Sequence, residues 1–279
     1  MKQIQKILKF KLKWPWQIAL MLIPLILLYP GFGVDRTIKI RLVIGWVIYA
    51  VFELLVNVRR FPRDRKNDRK VIPLFLLVGA EFVVDGIYAY VNHLPFFRYP
   101  VSAVLQNAFL NGWREEIYST LILVTALLSL FYHWKKKITK RHLTLISFAA
   151  GFIFGVFGHI ENLPGLWQVN KDKPQYFIIM ACSLHIVNAI AGGLIFKSIF
   201  LKTGSLFYCI LLHFLVDVSR IGTFFPNESQ IYGTILMFIY LIYGAYESIR
   251  MDETVANGWN RRLKRANNDS MEISIKELN

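Results

Sequence analysis

The sequence predicts an all-α, polytopic membrane protein of about eight transmembrane helices enclosing a polar cavity. Three observations predict it: 55% of the residues are hydrophobic against 18% charged, the apolar residues fall in long runs, and the basic residues fall in blocks between those runs. A run of about 20 apolar residues is what a helix needs to cross some 30 Å of hydrocarbon. Only helices or closed barrels satisfy their backbone there, and runs of this length are helical.

Taken in order, the first span covers residues 14–33, behind a basic stretch from Lys2 to Lys13. No small-residue cleavage site follows, so it reads as an anchor rather than a removed signal. The second, 41–58, carries Glu53 near one end and leads into the charged segment RRFPRDRKNDRK of residues 59–70. The third, 71–92, holds Glu81 and Asp85 four residues apart. The fourth, 101–134, is long enough for one long helix or two pieces. Spans at 142–160, 174–197, 204–222 and 229–249 complete the set. Residues 1–250 therefore form one integral membrane domain. Residues 251–279 lose the apolar pattern and read as a flexible or weakly helical cytoplasmic tail.

The net charge of +15 is a topology signal. With eight spans, Lys2 to Lys13, Arg59 to Lys70, Lys135 to Arg141, Lys197, Lys202 and the tail lie on one side. That side is cytoplasmic by the positive-inside rule, as are both termini. Acidic lipid headgroups are the expected partner of this charge. No recognition motif accompanies it, so nucleic acid is not an expected partner. Cys182 and Cys209 both sit in apolar spans and read as small packing residues. Gly151, Gly155 and Gly158, and then Gly192 and Gly193, are spaced to let helix backbones approach closely.

Polar side chains inside these runs are costly and mark function. Glu115 and Glu116 are adjacent in WREEIYST, which suits either the first turn of a helix or a proton-transferring site well inside one. His159, Glu161 and Asn162 end the fifth span, as a wet interfacial cluster or as part of the site. His185 and Asn188 share a face in the sixth as packing or supporting groups. His213 and Asp217 share a face in LLHFLVD of the seventh, where a carboxylate one turn away orients an imidazole. Glu81 and Asp85 leave an ion or proton pathway as an alternative reading.

Three of these elements resemble, in order, the motifs of the CPBP superfamily (CAAX protease and bacteriocin-processing, or Abi). Glu115-Glu116 matches the EExxxR motif, with Thr120 at the arginine position. Phe154 to His159 matches a phenylalanine- and glycine-rich run ending in histidine, with Gly155 where the strict FxxxH form has phenylalanine. Gly192-Gly193, Thr203-Gly204-Ser205-Leu206, His213 and Asp217 match the last element. Phe157, Glu161 and Asn162 also fit the FxxxEN motif of PrsW-type proteases. The likeness covers about residues 110–220.

The resemblance implies an intramembrane endopeptidase of the bacterial plasma membrane. Glu115 or Glu116, helped by His159 or Glu161, activates a water, while His213 and Asp217 stabilise the oxyanion. The substrate is a secreted peptide or a membrane-anchored protein segment. A site in the outer half of the bilayer disfavours prenylated substrates, since prenylation is cytosolic. The sequence requires no cofactor; a divalent metal such as zinc, held by Glu116, His159 and His213, is compatible with it, although no HExxH occurs. An inactive immunity or scaffold protein, for which Thr120 argues, and a proton-coupled transporter using Glu81 and Asp85 are the alternatives.

Overall fold

The structure, a computed structural model, describes residues 69–223 and 230–276. The first two apolar spans lie outside the described residues. The described chain is helical, with no strand. In order it forms α1 (Ile72–Val91), α2 (Val101–Glu116), a π-helical segment (Ile117–Ile122), α3 (Leu123–Lys135), α4 (Lys140–Phe157), a 3-10 turn (Ile160–Asn162), α5 (Leu163–Val169), α6 (Gln175–Thr203), α7 (Leu206–Gly222), α8 (Gln230–Ile249) and α9 (Glu253–Lys276).

By length and composition, the helices Arg69–Val91, Lys140–Phe157 and Gln175–Thr203 are apolar enough to cross a membrane. The long fourth span is one path of α2, π segment and α3. Many large apolar side chains face outward, among them Leu76, Val83, Phe109, Phe152 and Ile242. In water such a surface would aggregate, whereas hydrocarbon is its natural solvent. The protein is an integral membrane protein.

The 29-residue α6 is the central post, packing α4 on one flank and α8 on another, while α7 pairs with α2 and α1 lies against α7. Two glycines explain the α4–α6 contact. A Cβ on Gly151 would lie 3.0 Å from the Leu194 nitrogen, and one on Gly155 only 2.6 Å from the Ile190 nitrogen. Only a hydrogen at these positions lets the backbones meet. The core between the helices is aliphatic, with Leu121, Val124, Leu128, Ile146, Ile195 and Leu212 buried.

Local chemistry sets the ends. Thr139 caps α4, accepting from the His142 N–H while the Thr139 N–H donates to His142 Nδ1, so the start of the helix meets its own unpaired donors. Gly204 ends α6 at φ 68°, a left-handed turn that glycine adopts without strain.

The sequence leaves the C-terminal segment open between a flexible and a weakly helical tail, and it is helical and docked. It is a 24-residue helix, and Trp259 is buried in the core with its Nε1–H donating to the Leu201 carbonyl at 2.8 Å. Asn260 holds the turn before α4 from both sides: Oδ1 accepts from the Ile138 N–H and Nδ2 donates to the Ile138 carbonyl, each at 2.7 Å. Leu201 and Ile138 lie 58 and 122 residues back in the chain, so local periodicity does not reveal them.

Candidate active site

Adjacent residues on a helix point about 100° apart. Glu115 and Glu116, at the end of α2, therefore serve different neighbours. Glu116 turns inward and is fully buried. Its Oε2 accepts from the Thr120 hydroxyl, one turn on, and its Oε1 faces His213 Nδ1 at 2.8 Å. A carboxylate only accepts, so His213 carries its proton on Nδ1 in this contact. Glu115 turns toward a cavity of about 300 Å³. Its side chain is 20% exposed, and its Oε2 lies 3.8 Å from His159 Nε2 and 3.7 Å from His213 Nε2.

The π segment follows the two glutamates directly. Such widened turns place side chains that a regular helix would misalign, and they recur at functional sites. Here Ser119 donates to the Glu115 carbonyl at 2.6 Å, while Thr120 reaches the Glu116 carboxylate.

His159 arrives from α4, one residue past Gly158, where the close α4–α6 approach carries it to the cavity. Its ring stands edge-on to Phe154 at 4.8 Å and lies 5.5 Å from the ring of His185. Asn162 Nδ2 and His185 Nε2 are 3.3 Å apart, and Asn188 accepts from Arg220. The side chain of Glu161 lies outside the described residues. His213 and Asp217 come from α7, with Nε2 and Oδ1 3.8 Å apart. Phe196 stacks on His213 at 4.8 Å and 13°, which fixes the plane of the imidazole.

The structure thus brings Glu115, His159, His213 and Asp217 to one cavity, with His185 and Asn188 on its wall. Glu116 stands behind His213 rather than on the cavity. Glu81 and Asp85 go elsewhere: both are buried in α1, and Asp85 Oδ2 accepts from Ser219 at 2.7 Å and Thr223 at 3.1 Å.

The zinc set of Glu116, His159 and His213 is not assembled. Both Glu116 oxygens already face Thr120, Lys197 and His213, and an ammonium 3.6 Å away opposes a second cation. Among the described residues no group of three or more His, Cys, Asp or Glu side chains could hold a metal ion.

Sequence reasoning missed Lys197. It was counted in a cytoplasmic basic block, yet its side chain is fully buried, with Nζ 3.6 Å from Glu116 Oε2 and donating to Ser119 Oγ at 2.5 Å. Lys202 is likewise internal, paired with Glu247. The signal that could have found them is the length of α6, which runs on to Thr203 and keeps both lysines inside the helix. Asn111 and Arg220 also line the cavity.

Residues 97–219, which contain every cavity residue named above except Arg220, match the family model described as type II CAAX prenyl endopeptidase Rce1-like. This segment is similar to the Rce1-like family. The Rce1-like family is a family of proteases within the CPBP superfamily. No curated protein and no solved structure matches the chain.

Proposed function

We propose that the protein is an intramembrane endopeptidase in which Glu115, together with His159, activates a water against a peptide carbonyl. The observation that carries this reading is the Glu115 carboxylate held between two imidazoles, at 3.8 and 3.7 Å, on a cavity with room for water. In the reaction, the water's oxygen bonds to the carbonyl carbon as its proton passes to Glu115. His213 in its imidazolium form donates Nδ1–H to Glu116 and presents Nε2–H to the oxyanion, the kind of preorganised donor that stabilises such charge. The intermediate collapses as the C–N bond breaks and the proton held at Glu115 moves to the leaving amine. Asp217 would repel an oxyanion if charged, so it acts protonated or by orienting His213.

The substrate class is a membrane-anchored or secreted peptide segment that enters the cavity from the bilayer or its edge. The name of the matched family adds C-terminal CAAX segments to the candidates. The exposed basic turn at Lys135–Lys137, Lys140 and Arg141 would face acidic headgroups on the cytoplasmic side.

The test is cleavage of a panel of membrane-anchored reporter peptides by purified protein in lipid. Glu115→Gln should lower kcat by about 10²–10⁴-fold, the usual worth of a positioned acid–base group. A folded Glu115→Gln variant working at the wild-type rate would sink the mechanism.

A further inference from the structure

We propose that Lys197 is a positioning residue that sets the orientation of His213 by acting through Glu116; the kinetic part of this inference rests on the peptidase reading above. Lys197 and Glu116 are both 0% exposed and come from two different helices, α6 and α2. An ion pair this deep is costly to desolvate, and a well-packed apolar pair would be at least as stable. Its retention inside a membrane span marks a role.

The contacts say what that role is. The Lys197 ammonium and the Thr120 hydroxyl both converge on Glu116 Oε2, which leaves Oε1 as the acceptor for His213 Nδ1. The same ammonium donates to Ser119 Oγ, whose own hydroxyl donates to the Glu115 carbonyl. One cation therefore ties down the segment carrying both glutamates. Phe154 lies beneath it, with Nζ 4.4 Å from the ring centroid, and closes the site from water. Lys197 does not line the cavity, so it touches neither substrate nor attacking water.

Without the ammonium, the buried Glu116 carboxylate keeps only the His213 imidazolium as countercharge, and the pair neutralises as the Nδ1 proton passes to Glu116. A protonated Glu116 then donates to His213 Nδ1, which leaves the imidazole neutral with its remaining proton on Nε2. The charged groups facing His213 are Glu115 and Glu116 from α2 and Asp217 from its own helix; Lys197 from α6 stands behind Glu116.

The experiment is ring-15N NMR of histidine-labelled protein in lipid nanodiscs, with His213 assigned by its substitution, alongside steady-state kinetics. Lys197→Met should shift the His213 proton from Nδ1 and lower kcat about 10- to 100-fold with KM unchanged, as loss of a group orienting a functional histidine does. Lys197→Arg should restore both readouts. Wild-type His213 signals and kcat in the Met variant would overturn the proposal. If that variant does not fold, Lys197→Gln carries the same test, and failure of both neutral variants to fold would leave Lys197 a structural role only, which also overturns it. Should the wild-type protein cleave no peptide, the peptidase reading fails while the His213 spectrum still decides the role of Lys197.

Discussion

Nδ1 of His213 lies 2.8 Å from Oε1 of Glu116, although the two residues are 97 positions apart in the chain. That contact divides the glutamate pair. Glu116 is committed to an imidazole in the dry interior, and Glu115 is the carboxylate presented to the cavity.

The division predicts different stabilities for two neighbouring substitutions. Glu115→Gln should keep the wild-type thermal midpoint in detergent and lose peptidase activity. Glu116→Gln leaves the Lys197 ammonium buried without its countercharge. It should cost about 3–5 kcal/mol of stability as well as activity. Thermal unfolding monitored by tryptophan fluorescence separates the two. Equal midpoints for both variants would contradict the assignment.

Gly155 is a second point of leverage. A methyl group there meets the Ile190 backbone at 2.6 Å, whereas one at Gly165 meets nothing within 4 Å. Gly155→Ala should push α4 from α6, destabilise the protein by about 1–3 kcal/mol as overpacking does, and draw His159 away from Glu115. Gly165→Ala should be silent. The comparison needs only the two melting curves and their relative cleavage rates.

Docking of α9 depends on Asn260 as well as Trp259. Asn260→Leu strands the N–H and carbonyl of Ile138, at about 1–3 kcal/mol for an unsatisfied buried group. Limited proteolysis should then cut within residues 251–264 at protease levels the wild-type protein resists. Unchanged protection would mean that Trp259 alone holds the helix.

Asp252, in the turn before α9, offers a pH dependence. Burial raises its pKa, but the Val255 N–H at 2.8 Å and the Lys70 ammonium at 3.4 Å outweigh this and hold the carboxyl below its ordinary value. A pKa depressed by folding contributes stability above the unfolded value of about 3.9, and loses it as pH falls through the folded value. Hydrogen exchange in the first turn of α9 should accelerate over that acid window. Asp252→Asn should be equally frayed at every pH. A pH-independent wild-type exchange pattern would refute the cap.

What was legible in the sequence follows from what a helix encodes locally. Apolar run length predicted long helices over the described residues, and the four-residue spacing of His213 and Asp217 predicted their shared face, because helix geometry settles both without reference to any other segment. The ordered motifs likewise pointed to the helices that meet. The small-residue spacing at Gly151 and Gly155 predicted close approach, though not the partner, Ile190 and Leu194 of α6.

Tertiary structure decided the rest. Which glutamate faces the cavity depends on the rotation of α2 and on the π segment after it, and a dipeptide carries no such information. Lys197 read as a surface cation, since a lysine near the end of an apolar run usually reaches for water. Only the contact of α6 with the π segment after α2 turns it toward Glu116. The order of the C-terminal helix rests on Leu201 and Ile138, far back in the chain. The sequence by itself determined the helices and the faces their polar groups share. Their rotation and crossing, set by packing between distant segments, decided which of those groups meet.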